Sequence, residues 1–168
     1  MTTTFTGNVG FSLRASLNKA LNLGSAPLSV PYNQQYVIAN GVSAHQDNMF
    51  WADTRTLTAS SSDSLDLFGG IINSFGDTIN FTQINGIFIF ANSLNTNNLI
   101  IGNGTNPFVN WVGAGTHTIT VKPGGMFALY DPSAAGYAVT NTTADTLKIT
   151  NSSSGTSVTY DIMLIGVM

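Results

Sequence analysis

The sequence predicts an all-β protein, an antiparallel β-sandwich of jelly-roll type with a short extended N-terminal arm. Glu is absent and Lys is rare, whereas Thr, Ile, Phe, Val and Asn are abundant, and this bias favours strands over helices. Short apolar or alternating segments recur, separated by clusters of Gly, Asn, Asp and Pro that are typical of turns. No segment is both long and periodic at the helical spacing, which disfavours an α/β fold.

The predicted elements follow from these patterns. "SLNKALNLGS" is compatible with a continued strand or with one helical turn, and Pro27 and Pro31 are expected to break the stretch that follows. The further predicted strands are "QYVIAN", "MFWADTRTLTAS", "SLDLF", "TINFTQINGIFIFAN", "NLIIG", "FVNWV", "HTITV", "MFALYD", "YAVT", "TLKITN" and "SVTYDIMLIGVM". About eleven short strands predict a sandwich. We expect one domain at residues 11–168, preceded by a Thr-rich arm at residues 1–10.

Charge is scarce: five Lys and Arg oppose eight Asp, which gives a net charge of −3. The basic residues are scattered, so no positive surface is expected for nucleic acid. The chain has no Cys, which excludes disulfides and thiolate metal sites. The first residues lack the regions of a signal peptide, and no uncharged apolar run reaches the length of a membrane span. These features predict a soluble protein that is made in the cytoplasm and binds neither nucleic acid nor membrane.

Groups that exchange protons near neutral pH are few, since the chain has two His, no Cys and no Glu. A glycan hydrolase would need a pair of carboxylates in a groove, and the composition argues against one. Two close pairs of aspartates lack the spacing of calcium loops: Asp47 and Asp53, Asp63 and Asp66. We predict a non-enzymatic protein with no catalytic residue, no cofactor and no metal.

The segment "INGIFIFAN" predicts an interaction surface. Large apolar side chains occupy both faces of this strand, whereas a strand with one solvated face alternates: Ile87, Phe88, Ile89 and Phe90. One face belongs on an opposing sheet, and the other is covered either by a loop or the N-terminal arm, or by another subunit. Burial of two such side chains contributes roughly 3–6 kcal/mol before association entropy. We predict an oligomer, above all a trimer, with these residues at the interface.

Trp51 and Trp111, with Tyr130 and Tyr137, form a candidate ligand platform, because exposed aromatic rings can stack on sugars. Aromatic side chains in strands are more often buried. Exposure of the two indoles side by side would favour a sugar binder, whereas burial would favour a scaffold.

Two longer stretches carry a family resemblance. They are "FWADTRTLTASSSDSLDLFGGIINSFGDTINFTQINGIFIFAN" and "VKPGGMFALYDPSAAGYAVTNTTADTLKITNSSSGTSVTYDIMLIG". From Met49 to Gly166 the chain resembles small structural proteins encoded beside capsid genes in tailed bacteriophages and prophages, in particular head decoration, or cement, proteins. The first forty residues carry little of the resemblance.

The resemblance implies a virion protein with a β-sandwich fold, often trimeric, that lies on the capsid surface after synthesis in the host cytoplasm. Its partner would be the major capsid protein, whose subunits it would bridge and stabilise. Phe5, the one large apolar side chain of residues 2–8, is predicted to dock on the capsid protein or on an adjacent subunit. The alternative is a receptor- or carbohydrate-binding domain of a head fibre or tail protein.

Overall fold

The structure, a computed structural model, describes residues 4–168. Strands account for 59% of the chain and the described residues contain no helix, so the predicted all-β fold is confirmed; there is accordingly no helix in residues 4–168 with the length and apolarity to cross a membrane. The strands are β1 (Gly7–Ala20), β2 (Ser25–Asn40), β3 (Gln46–Asp47), β4 (Met49–Leu57), β5 (Ser62–Asp66), β6 (Phe68–Ile72), β7 (Thr78–Asn80), β8 (Gln83–Ala91), β9 (Leu99–Gly102), β10 (Thr118–Val121), β11 (Met126–Tyr130), β12 (Tyr137–Ala138), β13 (Thr146–Asn151) and β14 (Val158–Val167).

Two antiparallel sheets form the body of the protein. Sheet I has the strand order β11-β8-β14-β4, with the short β12 also paired to β8. Sheet II has the order β10-β9-β13-β5. One hydrophobic core lies between them, and its fully or almost fully buried members include Ile87, Ile89, Ile162 and Leu164 from sheet I and Leu99, Ile101, Leu147 and Ile149 from sheet II. The predicted sandwich is therefore present, and period-two alternation along each strand builds it.

β1 and β2 form a long hairpin outside these two sheets. Their register runs unbroken from Gly7↔Ile38 to Ala20↔Ser25, a paired length of about 46 Å at the usual rise of a strand. Every residue from Gly10 to Asn33 is exposed. The boundary predicted between residues 10 and 11 falls inside β1, and "SLNKALNLGS" is strand up to Ala20 followed by a turn.

Pro27 and Pro31 do not break β2, contrary to the sequence-based expectation. β2 pairs with β1 on one edge, and on the other it meets only β3, through Ala39 and Asn40. Proline is tolerated where the nitrogen faces an open edge, and residues four apart share one orientation in a strand. The prolines therefore mark an unpaired edge and not the end of the strand.

The segment "FVNWV" forms turns and not the predicted strand. The Val112 N–H donates to the Val109 carbonyl at 2.9 Å, and the Trp111 indole N–H donates to the Phe108 carbonyl at 2.9 Å. Phe108 is buried in the core while the chain folds back over it. The alternating pattern here belongs to a turn segment around the buried Phe108. Its hydrogen bonds are local and replace those that a strand would make with a neighbouring strand.

Candidate functional site

Aromatic contacts fix the base of the hairpin to sheet I. The ring centroids of Tyr36 and Tyr130 are 5.3 Å apart, and those of Tyr36 and His45 are 6.4 Å apart. Ile38, on the same face of β2 as Tyr36, is buried. Tyr130 alternates along β11 with Leu129, which packs on the core, so Tyr130 points away from the core. The hairpin therefore turns the Tyr36 face toward the outer surface of sheet I.

The two faces of the hairpin differ in polarity. Residues that pair across the strands share a face, so the register assigns each side chain to one side. The apolar hairpin face consists of Val9, Phe11, Leu13, Ala15, Leu17, Ala26, Leu28, Val30, Tyr32, Tyr36 and Ile38, interrupted by Gln34 and ended by Lys19. The opposite face carries Asn8, Gly10, Ser12, Arg14, Ser16, Asn18, Ser25, Ser29, Asn33 and Gln35, together with Ala20, Pro27, Pro31 and Val37.

The apolar hairpin face is exposed over most of its length. Phe11 is 51% exposed and Leu17 is 70% exposed, and at the turn Leu23 reaches 96%. Gly24 in the same turn has φ +97°, a conformation that favours glycine. The turn thus costs little strain, while the side chains around it remain in solvent. An exposed, contiguous apolar surface of this extent is typical of an interaction site.

The side of sheet I that points away from the core is a second apolar surface. We call it the outer sheet face; its apolar members are Phe50, Ala52, Phe88, Phe90, Met126, Ala128, Met163 and Ile165. Met163 lies between Ala52 and Phe88, and Phe90 lies opposite Met126. Asp161 is the one charged side chain on this face within residues 4–168, and its carboxylate accepts a hydrogen bond from the Thr54 hydroxyl at 2.6 Å.

The hairpin base and the outer sheet face form the walls of one apolar cleft of about 290 Å³. It is lined by Phe5, Gly7, Asn8, Val9, Gly10, Phe50, Phe88, Phe90, Met163 and Ile165. The contacts of β1 with sheet I end near Gly10, beyond which the hairpin is exposed. The two apolar surfaces are therefore continuous at the cleft and separate beyond it.

The structure divides the four predicted interface residues between two faces. Ile87 and Ile89 are fully buried in the sandwich core, so they offer no surface to a second subunit. Phe88 is half-buried and Phe90 is 37% exposed, both on the outer sheet face. Part of that face is covered by residues 5–10, as one of the two sequence interpretations expected, and the rest is uncovered.

Phe5 lies on its own subunit. Its ring stacks on Phe50 with centroids 5.8 Å apart and planes at 6°, and its backbone N–H donates to Asn40 Oδ1 at 3.0 Å. Residues 1–3 of the predicted arm lie outside the described residues. A role for Phe5 in docking on a capsid stays a prediction, and such docking would have to compete with the stacking on Phe50.

Trp51 and Trp111 each have a structural place. Trp51 is buried, and its indole N–H donates to the Ile72 carbonyl at 3.0 Å. Trp111 is half-buried and packs against Phe127, with ring centroids 5.3 Å apart. Since both indole N–H groups are bound by backbone carbonyls, the geometry gives the predicted sugar platform no support.

A buried carboxylate lies where the hairpin joins the body. Asp47 in β3 is fully buried, and within residues 4–168 neither of its carboxylate oxygens has a hydrogen-bond partner; the same holds for the hydroxyl of Tyr130. Burial raises the pKa of Asp47 to about 6. Burial, together with the charge of Asp47, raises the pKa of Tyr130 to about 12. This junction therefore destabilises the fold when Asp47 is ionised.

Asp53, Asp63 and Asp66, the other aspartates of the two close pairs, have structural partners. The Arg55 guanidinium contacts Asp53 at 2.8 Å and also contacts Asp63, which accepts a hydrogen bond from the Tyr160 hydroxyl at 3.2 Å. These contacts join β4 of sheet I to β5 of sheet II. Asp66 accepts a hydrogen bond from the backbone N–H of Phe68 at 2.9 Å. No group of three or more potential ligands in residues 4–168 could hold a metal ion.

Comparisons with protein-family models, with curated proteins and with solved structures found no match for this chain. The functional argument therefore rests on the chain's own surfaces, and the two apolar faces are its most distinctive feature.

The sequence contained part of the signal for these faces. The alternation of Val9, Phe11 and Leu13 with Gly10, Ser12 and Arg14 indicates an amphipathic strand. The matching strand, β2, was obscured by its prolines. The burial of Asp47 carries no sequence signal, since "HQDN" is composed like an ordinary polar loop.

Proposed function

We propose that this protein is a non-enzymatic virion structural protein of a tailed bacteriophage or prophage. It decorates the capsid exterior as a homotrimer and bridges neighbouring capsid subunits, and so it stabilises the shell. The observation that supports the proposal most is the hairpin, whose apolar face extends beyond the body that anchors it. A protein that bridges neighbouring capsid subunits needs a surface that extends past its own body, and the exposed pairs of the hairpin, from Ser12↔Asn33 to Ala20↔Ser25, extend for about 30 Å.

The body of the protein suits a particle that meets variable salt. Its loops are joined by neutral hydrogen bonds: the Asn97 amide donates to Asn151 Oδ1 at 2.9 Å, and the Asn151 amide donates to the Thr58 carbonyl at 3.0 Å. Such bonds are not screened by ions, whereas surface ion pairs are weak and salt-dependent. The scarcity of charge in the sequence fits the same function.

The resemblance of residues 49–166 to decoration proteins supports the same function. It covers sheets I and II and leaves out the hairpin. On this proposal the body is the common scaffold, and the hairpin is the part that adapts the protein to its assembly.

Mass spectrometry of purified particles from the virus that encodes this chain tests the proposal. We expect the chain at a fixed ratio to the major capsid protein, also in heads without tails. Particles that lack its gene should lose DNA at a lower temperature, and added purified protein should restore the wild-type release temperature. Absence of the chain from purified particles, or its restriction to tails, would contradict the proposal.

A further inference from the structure

We infer that the apolar hairpin face of each subunit covers the outer sheet face of a second copy of this chain. The inference deepens the oligomer within the proposed function, but it does not depend on capsid binding. It rests on five features of the described residues.

Each subunit carries two uncovered apolar surfaces of different shape. The hairpin face is long and narrow and projects from the body, whereas the outer sheet face is broad and lies on the body. A contact between unlike surfaces closes either reciprocally in a two-fold dimer or head-to-tail in a ring, and the trimer of the proposed function is such a ring. In a ring of copies, every hairpin face and every sheet face is covered at once.

The area is sufficient for a stable interface. Eight large side chains of the hairpin are about half exposed or more: Phe11, Leu13, Leu17, Leu21, Leu23, Leu28, Val30 and Tyr32. Covering them would remove on the order of 600–800 Å² from solvent on one subunit, close to one partner's share in a standard interface. The receiving face offers Phe50, Phe90 and Met126, which are themselves exposed.

Charge also favours a second copy. Residues 7–40 carry Arg14 and Lys19 and no acidic residue, which gives the hairpin a net charge of +2. The remaining residues carry all eight Asp against three basic residues, a net charge of −5. Lys19 ends the apolar hairpin face, and Asp161 is the charged group of the outer sheet face. A positive arm on a negative body is complementary between copies.

The open edge of β2 is unsuited to a strand-to-strand contact between copies. Pro27 and Pro31 remove backbone donors from the open edge of β2, which blocks the addition of another strand there. The side chains of the apolar face remain available.

Beyond Gly10 the hairpin does not cover the outer sheet face of its own subunit. Tyr36 and Ile38 hold its base on sheet I, but every residue from Gly10 to Asn33 is exposed, although both strands stay paired to the turn. The distal apolar side chains therefore lie away from their own outer sheet face, and a neighbour has to supply the cover.

Cross-linking between copies tests the inference directly, because the chain has no native Cys. Two differently tagged full-length chains, one with Leu13→Cys and one with Phe90→Cys, are co-expressed and treated with a short bis-maleimide. We expect a cross-linked product that carries both tags. The matched control Ser12→Cys, on the opposite face of β1, should give a yield roughly tenfold lower.

A single chain with both Leu13→Cys and Phe90→Cys tests whether the hairpin instead covers the outer sheet face of its own subunit. A cross-link confined to the monomer would show that the hairpin folds back on its own sheet and would overturn the inference. Equal yields from Leu13→Cys and Ser12→Cys would overturn it as well.

Sedimentation velocity of two charge variants gives an independent readout. Leu13→Asp should raise the dissociation constant of the oligomer on the order of a hundredfold, because the interface would bury an unpaired carboxylate, whereas Ser12→Asp should change it by less than about threefold. Both residues are exposed in the subunit, so circular dichroism should show that each variant folds. Equal effects would contradict the inference. Cross-linked oligomers that fail to bind capsids would refute the proposed decoration function and leave this inference standing.

Discussion

The hairpin and the sandwich body are built from the same kind of alternating strand, yet the apolar side chains are buried in the body and exposed in the hairpin. In the body, alternating side chains find a second layer, so that Ile89 and Ile162 are fully buried. In the hairpin, the same alternation places Leu13 and Leu17 in solvent, because no second layer lies over them. Alternation therefore specifies which side of a strand is apolar, but it does not specify what covers that side.

The largest effect should separate these two regions by stability. Ile89→Ala in the core should lower the free energy of unfolding by about 2–5 kcal/mol, because it removes buried methyl groups and leaves a cavity. Leu17→Ala on the hairpin should change it by less than about 0.5 kcal/mol in the isolated subunit. Chemical denaturation at a concentration that favours monomers measures both. A hairpin variant that destabilises the monomer as much as the core variant would show that the hairpin is part of the core.

The next effect concerns the junction between the two regions. The folded-state pKa of Asp47 is raised from 3.8 to about 6, so the folded protein holds this proton more tightly than the unfolded chain does. The contribution of Asp47 to stability is then most favourable below pH 3.8 and is lost as the pH rises through about 6. Asp47→Asn should therefore stabilise the protein at pH 7 by on the order of 2–3 kcal/mol and have little effect at pH 4.

Thermal unfolding of wild type and Asp47→Asn across this pH range measures the difference. A constant difference between pH 4 and pH 7 would mean that Asp47 is not the titrating group. Tyr130→Phe, which removes the other unpartnered buried group, is the matched control and should be neutral or slightly stabilising at both pH values.

A smaller effect concerns the edge where the two sheets of the body meet. Arg55→Met should lower the free energy of unfolding by about 1–2 kcal/mol, because the half-buried Asp63 carboxylate would lose its guanidinium partner and keep only the Tyr160 hydroxyl. Asp53→Asn should cost less than about 0.5 kcal/mol, since Asp53 is the more exposed carboxylate. Similar losses of unfolding free energy in urea titrations of both variants would contradict the assignment of Asp63 as the principal partner of Arg55.

The smallest effect should come from salt. The loops of the body are joined by neutral hydrogen bonds, and the hairpin is anchored by Tyr36 and Ile38. Raising NaCl from about 0.05 to 0.5 M should therefore shift the Tm of the isolated subunit by no more than about 1–2 °C. A shift of many degrees in calorimetry would reveal a larger electrostatic contribution than the two ion pairs of Arg55 can supply.

The fold class was predictable from sequence because composition, alternation and turn residues all agreed. The sandwich strands with the clearest patterns, such as "TLKITN" and "INGIFIFAN", are present as predicted. The break predicted at the prolines of β2 was wrong, because the effect of a proline depends on whether its edge of the strand is paired. Pairing of an edge is a tertiary property. The strand predicted at "FVNWV" was wrong, because an alternating pattern can also arise in a turn. Here the Trp111 indole folds back and donates to the carbonyl of the buried Phe108.

The candidate site was predictable only in part. The strand with apolar side chains on both faces, β8, correctly indicated where the outer sheet face lies. Which face of β8 stays open depends on the position of sheet II, which buries Ile87 and Ile89 in the core. The length of the hairpin required the pairing of residues as far apart as Gly7 and Ile38. The burial of Asp47 depends on tertiary packing where β3 pairs with the end of β2, which a local sequence pattern does not show.

Light scattering coupled to size exclusion tests the central claim most directly, by comparing the full chain with a variant whose hairpin is shortened. In the variant, an Asn-Gly turn replaces residues 12–33, so that Phe11 and Gln34, a hydrogen-bonded pair in the register of the hairpin, close the shortened hairpin. The replaced residues are exposed, so the body should keep its fold and its Tm. At micromolar concentration we expect the full chain at three times 17.7 kDa and the shortened chain as a monomer. A full chain that runs as a monomer, or a shortened chain that keeps the oligomer, would contradict the account.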